Sequence, residues 1–231
     1  MNIYGYQKTT LLDYPGHVAA TIFTGGCNFR CPFCHNTDLL LQGNLHSLVS
    51  EDEIFSFLNK RKKVLSGICI TGGEPTLQSD LLFFLTKVRA LGFKIKLDTN
   101  GYCPDVLSSL LDHHLLDYIA MDMKAGFSNY NKVCGKPDLN INKIQKSISI
   151  IENAGIDYEF RTTVVKELHS EQDFYEIATM ISPKSNYYIQ SFMDSGNILT
   201  PGLSPCDTDT LNHYLSIVKE KLPLSFLRGI D

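Results

Sequence analysis

A rhythm constrains this chain more than any other feature. Short runs of β-branched and apolar residues alternate with longer runs of helical periodicity, six times over, between His17 and Leu222. The strand-like runs are His17–Phe23, Leu65–Thr71, Phe93–Asp98, Asp117–Asp122, Asp157–Val165 and Tyr187–Phe192. The intervening helices carry their own punctuation. Ser50 with Glu53 three residues on predicts a capped start. Asp80–Leu91 stops at Gly92, and Ile141–Ala154 stops at Gly155. Pro104–His113 has proline in its first turn. Ser170–Ile181 opens with an acidic turn, and Asp207–Leu222 runs up to Pro223, which prevents continuation. Such alternation argues for parallel strands joined by right-handed crossovers. A closed eight-unit barrel takes about 250 residues. Six units in 231 residues predict an α/β fold, an incomplete (β/α)6 TIM-like barrel of parallel strands, with a doubly wound open sheet as the competitor. No Pro/Gly/Ser-rich linker interrupts the rhythm, so residues 1–231 are expected to form a single domain.

Charge and hydropathy narrow the function classes. The net charge is −4, whereas chains that bind phosphate backbones are usually basic, so no nucleic-acid partner is expected. No apolar run approaches the roughly 20 residues that span a bilayer, and no basic, then apolar, leader opens the chain. The expectation is a cytoplasmic protein without a membrane partner. Structural disulfides are rare in that compartment, so seven cysteines need another account. Cys69, Cys103, Cys134 and Cys206 are scattered and read as ordinary thiols. Cys27, Cys31 and Cys34 form a Cys-x3-Cys-x2-Cys run directly after the first predicted strand. A structural zinc would want four ligands, and His35 is awkwardly placed to be the fourth. A [4Fe–4S] cluster on three thiolates would leave one iron open to a small molecule. Spacing alone leaves both metals open.

Other segments make the pattern more specific. The cysteine run, with Phe33 before its last member, and Gly72-Gly73-Glu74-Pro75 after the second strand resemble the radical S-adenosylmethionine superfamily. Cys34-His35-Asn36, Asp98-Thr99-Asn100-Gly101 and Asp122-Met123-Lys124 look like its glycyl-radical-enzyme activases. The opening GYQKTTLLDYPGHVAATIFTGGCNFRCPFCHN and the later FRTTVV are most similar to the anaerobic ribonucleoside-triphosphate reductase activating subgroup. These segments follow successive strands, where β/α barrels carry their chemistry.

The resemblance implies roles. Cys27, Cys31 and Cys34 would be the catalytic cluster ligands. Phe33 and His35 would lie at the adenine side of S-adenosylmethionine, and Gly72, Gly73 and Glu74 along its methionine part. Asp122, Met123 and Lys124 are further cofactor-binding candidates; Asp122 and Lys124 would contact its polar ends from one strand face, with Met123 on the other. Arg161 would suit a carboxylate. Asp98 and Asn100 are further cofactor candidates, or simply shape a turn, and Arg161 has an ordinary ion pair as its alternative. Asp13 is a turn residue or lies near a substrate backbone. His113, His114, His169 and His213 are expected in solvent. The alignment puts Met193 where related activases carry a histidine, and the absence of cysteine between Asn36 and Ser66 predicts a single cluster.

The implied reaction is reductive cleavage of S-adenosylmethionine to methionine and a 5′-deoxyadenosyl radical. That radical would take hydrogen from a glycine of a partner glycyl-radical enzyme, the protein substrate. A low-potential carrier such as flavodoxin would supply the electron. Two rivals are a small-molecule radical enzyme resembling 7-carboxy-7-deazaguanine synthase and a non-enzymatic metal- or oxygen-sensing module.

Overall fold

The computed structural model describes residues 1–40, 48–194 and 196–230. Main-chain pairing begins with a strand that the hydrophobic pattern does not reveal. Strand β1 (Ile3–Thr10) carries Gly, Gln and Lys and is largely exposed between its buried ends. It forms because it pairs antiparallel with β2 (Ala19–Thr24), five of whose six residues are buried. Helix α1 (Thr37–Leu40) is a single turn. Helix α2 (Glu51–Arg61) starts where Ser50 accepts a hydrogen bond from the Glu53 amide, at 3.2 Å. Strand β3 (Gly67–Gly72), helix α3 (Leu81–Ala90), strand β4 (Lys94–Thr99), helix α4 (Pro104–Asp112) and strand β5 (Tyr118–Asp122) follow. Beyond them come α5 (Tyr130–Val133), α6 (Ile141–Glu152), β6 (Asp157–Val164), α7 (Glu171–Met180), β7 (Tyr187–Ser191), α8 (Thr208–Lys219) and β8 (Ser225–Arg228).

The residues sort into two compact units. The first comprises Met1–Asn28, Asp38–Thr99 and Asp105–Ile119. The second comprises Phe29–Thr37, Asn100–Pro104 and the chain from Ala120 onward. In the first unit β2, β3 and β4 run parallel, with Ile22 beside Ile70 and Ile70 beside Leu97. These side chains are wholly or nearly wholly buried, as a parallel sheet covered by helices requires. Thr24 sits opposite Gly72, so the segments that follow β2 and β3 leave the sheet side by side. In the second unit β6, β7 and β8 run parallel, with Arg161 beside Tyr188 and Tyr188 beside Phe226. Phe160, Tyr187 and Ile189 are fully buried.

All six predicted strands are present as β2 to β7, with bounds shifted by one or two residues. Strands β1 and β8 are additions. Strand β8 has only four residues and lies just past Pro223, too short to show a period. Two single-turn helices, α1 and α5, are likewise below the length at which periodicity is visible.

Candidate functional site

In the first unit the candidate residues are held chiefly by main chain. Gly72 takes φ +112° as it leaves β3. The Gly73 amide donates to the Thr24 carbonyl at 2.8 Å, and the Glu74 amide donates to the Gly26 carbonyl at 2.8 Å. The approach is so close that a Cβ on Gly73 would lie 2.1 Å from the Gly26 oxygen. The glycine-rich segment is therefore clamped to the segment that delivers Cys27. Glu74 is 1% exposed and turned inward. Its Oε1 accepts from the Thr76 amide at 3.1 Å, from the Thr76 hydroxyl, and from the Thr99 hydroxyl at 2.8 Å. This carboxylate ties the loop after β3 to the end of β4. Asp98 accepts from the buried Lys96 ammonium. Asp13 accepts from Thr21 on β2, while its amide donates to the Thr10 hydroxyl at 3.2 Å, as a turn residue would.

In the second unit the candidate residues are charged and paired. Asp122 ends β5 and accepts from Arg161 Nε and, at 3.0 Å, from Lys124 Nζ. β5 ends at Asp122, so Met123 and Lys124 lie just past the strand; Met123 is fully buried, while Lys124 turns back to pair with Asp122. Burial alone would push the Asp122 carboxyl up; the Arg161 and Lys124 charges overcome it and hold it well below the usual carboxylate range. Burial opposes the Lys124 cation too, but Asp122 and then Cys31 outweigh it and raise the ammonium above its ordinary value. The same Nζ lies 5.9 Å from the centre of the Phe33 ring. His35 stacks on Phe192 with ring centres 5.7 Å apart and planes 16° apart. Burial first, and Lys124 second, lower its pKa, so the imidazole is favoured neutral. Asn100 accepts from the Tyr102 amide at 3.0 Å, which fits the turn reading.

One expectation fails. His169 is not in solvent; it is 6% exposed. Its Nδ1 accepts from the Val165 amide at 3.1 Å, and its Nε2 lies 2.9 Å from the Lys124 carbonyl oxygen. A neutral ring protonated on Nε2 satisfies both bonds. Burial lowers its pKa accordingly. The sequence shows a polar residue after a strand; only the fold shows that it pins the main chain of Lys124. His113, His114 and His213 are exposed, as expected. Met193, at the position of the missing family histidine, is 71% exposed. Sequence reasoning also missed Glu159 and Arg228, a buried carboxylate and its guanidinium partner. A lone Glu in a strand and an Arg next to a C-terminal Gly carry no signal in one dimension.

The thiols suit an iron–sulfur cluster in chemistry. None of the seven cysteines is in a disulfide. Cys31 is buried, and Cys27 and Cys34 are half-buried. Cys31 donates weakly to the Cys134 carbonyl at 3.8 Å and lies within the field of the Lys124 cation. A cation beside a thiol is the setting in which a thiolate ligand forms. Among the described residues, no group of three or more His, Cys, Asp or Glu side chains is gathered tightly enough to hold a metal ion.

Comparison with known proteins sets the class. The family model described as the radical SAM superfamily matches residues 21–181. The chain belongs to this superfamily, whose members use a [4Fe–4S] cluster and S-adenosylmethionine (SAM) as cofactors. Within it the relatives point to one branch. A glycyl-radical enzyme activating enzyme of Methanocaldococcus jannaschii is 35% identical over 194 residues, covering 82% of this chain and 79% of that protein. The pyruvate formate-lyase-activating enzyme of Clostridium pasteurianum is 26% identical over 236 residues, covering 99% of this chain and 90% of that one. The chain is thus a radical SAM enzyme of the glycyl-radical activase branch. The crystal structure of Streptococcus suis SuiB bound to S-adenosylmethionine superposes with a TM-score of 0.65 at 14% identity, over 90% of this chain and 49% of that one. The chain spans about half the length of that structure, and the likeness shows the fold alone: the α/β class with parallel strands expected from the rhythm. No helix among the described residues is long and apolar enough to cross a membrane.

Proposed function

We propose that the chain activates a glycyl-radical enzyme, with anaerobic ribonucleoside-triphosphate reductase as the protein substrate. The observation that carries the activase reading is the 35% identity to a glycyl-radical enzyme activating enzyme across four-fifths of both chains. The finer choice of partner rests on the opening segment Gly5–Asn36 and on FRTTVV, Phe160–Val165.

In this reading Cys27, Cys31 and Cys34 would hold the cluster, one thiolate short of the usual four ligands. When bound, the cluster would supply the one-electron reduction that radical SAM chemistry requires. The chain's own residues bind and orient. Gly72 and Gly73 let main chain approach the methionyl part, and Glu74 holds that loop in place from beneath. Phe33 and His35 present rings to the adenine, with His35 backed by Phe192. Lys124 and Arg161 are the cations offered to carboxylate and hydroxyl groups, and Asp122 orients both. Asp98 and Asn100 shape the loop after β4. The electron donor is a low-potential one-electron carrier such as flavodoxin.

The test is anaerobic incubation of the reduced, cluster-loaded protein with SAM and candidate glycyl-radical enzymes. A glycyl-radical doublet in electron paramagnetic resonance on the ribonucleotide reductase supports the proposal. A doublet on another glycyl-radical enzyme alone reassigns the partner. Release of 5′-deoxyadenosine with turnover of a free metabolite and no protein radical overturns the activase reading.

A further inference from the structure

In the first unit, Tyr6, Lys8 and Thr9 of β1 and Phe57, Lys60 and Arg61 of α2 line a cleft of about 520 Å³. The sequence builds each wall. On α2, Ile54 and Leu58 are wholly buried, and a second stripe of Glu53, Phe57 and Arg61, spaced by four, lies beside them. On β1 the register slips between Gln7 and Thr10. That bulge lets the consecutive Lys8 and Thr9 both reach the cleft, where regular alternation would send one of them to the other face. The Tyr6 and Phe57 rings meet with centres 5.0 Å apart and planes 50° apart, and the Tyr6 hydroxyl donates to Glu53 at 3.1 Å. Arg61 Nη2 donates to the Thr9 hydroxyl at 3.2 Å, which ties the guanidinium of α2 to β1.

Charge sets this cleft apart. Elsewhere in the unit Lys87 pairs with Glu51, Arg89 and Lys94 pair with Asp117, and the buried Lys96 pairs with Asp98. Among the described residues, no carboxylate lies within ion-pair distance of Lys8, Lys60 or Arg61. The exposed Lys62 and Lys63 extend the basic run. The dipole of α2 favours cations at its C-terminal end, but it does not account for Lys8, which arrives from β1. The chain has 25 acidic residues against 21 lysines and arginines, so unpaired cations converging on one cleft go against its balance. Such a patch is complementary to an anionic partner. Just past Thr9 and Thr10, Leu11 and Leu12 are 71% and 89% exposed. Adjacent exposed leucines beside basic groups suit a polypeptide better than a bare phosphate. We propose that the cleft docks an acidic segment of the protein substrate, with carboxylates on Lys8, Lys60 and Arg61 and an apolar side chain against the Tyr6 and Phe57 rings. None of these residues is a candidate contact of the cofactors. That the docked protein is a glycyl-radical enzyme rests on the activase reading above.

The experiment is association of the anaerobic cluster-loaded protein with the glycyl-radical enzyme that acquires the doublet, followed by biolayer interferometry at low and at physiological salt. Thermal melting and SAM affinity are the controls. Lys8→Glu combined with Lys60→Glu is expected to weaken association about tenfold or more at low salt and by less at higher salt, with both controls unchanged. Lys8→Gln with Lys60→Gln, which removes the charges without reversing them, falls between. Poly-L-glutamate is the direct probe. It is expected to compete with the partner for the parent protein and to bypass the charge-reversed variant. Parent-like association of the folded charge-reversed variant overturns the proposal. So does a loss of SAM affinity that accompanies the lost association, because the charges would then act on the cofactor site. A single-stranded oligonucleotide that competes more strongly than poly-L-glutamate overturns it as well, by assigning the cleft to phosphates. Should the charge-reversed variant not fold, the glutamine pair carries the same comparison. If no glycyl-radical enzyme acquires the doublet, the activase reading falls, and poly-L-glutamate alone decides on the cleft. Binding to the parent and not to the variant keeps the acidic-polypeptide site; equal binding to both, or to neither, removes it.

Discussion

The two units hold their candidate residues by different physical means. In the first, the segment after β3 is fixed by amide-to-carbonyl bonds from Gly73 and Glu74 to Thr24 and Gly26, and its one carboxylate faces inward to Thr76 and Thr99. In the second, the segment after β5 is fixed by charge: Asp122 between Arg161 and Lys124, with a second arginine–carboxylate pair behind them. Main-chain packing tolerates no added volume but is indifferent to charge. A charge line tolerates modest changes of volume and is sensitive to the loss of one sign. The expected responses to mutation therefore differ in kind between the units.

The largest effect belongs to the three clustered thiols. Alanine at Cys27, Cys31 or Cys34 is expected to abolish both iron retention and 5′-deoxyadenosine release under reducing, anaerobic conditions. Cys69→Ala, in the first unit's sheet, should leave both in place. Loss of cleavage there would mean that the ligand set is wrongly drawn. Next comes volume. Gly73→Ala places a Cβ 2.1 Å from the Gly26 oxygen and should cost about 1–3 kcal/mol or more, read from urea unfolding. If this variant melts like the parent and loses only SAM affinity, the contrast between the units collapses. Asp122→Asn is the reciprocal case. It strands two cations, but the site is partly open to solvent, so a stability loss of about 1–2 kcal/mol is expected beside a larger, roughly tenfold, loss of SAM affinity. A variant that unfolds without any change in affinity while folded would assign Asp122 to stability alone.

The smallest effect is one of pH. Burial lowers the pKa of His169 below its ordinary value of 6.5, and His35 shifts in the same direction. Below about pH 6.5 the unfolded chain takes up protons that the folded chain resists. Stability is therefore full above that pH and falls as acid is added, by at most about 1.4 kcal/mol per pH unit for each such group. His169→Gln should give a shallower acid limb in urea titrations between neutral and mildly acid pH. An unchanged slope would show that His169 is not among the groups responsible.

Particular residues show how much was legible. The capped start at Ser50, the stops near Gly92 and Gly155, and the six predicted strands follow from local chemistry, because caps, glycines and apolar runs act within a few residues of themselves. The cysteine spacing and GGEP were legible for the same reason. Nothing local marks the bonds that the Glu74 side chain makes to Thr76 and to Thr99, the latter 25 residues away in sequence. His169, expected in solvent from its place in the sequence, braces Lys124 across 45 residues. The pair of Glu159 and Arg228 spans 69 residues and was invisible.

Sequence by itself therefore determined the β/α rhythm, the family, the spacing of the cysteines and the segments that follow each strand. These depend on period, spacing and local conformational preference, which are properties of neighbours in the chain. Tertiary structure alone decided which carboxylate faces inward, which histidine is buried neutral, and which arginine is held by which acid. Those outcomes depend on desolvation and on the distance between charges, and neither exists until strands far apart in sequence lie side by side.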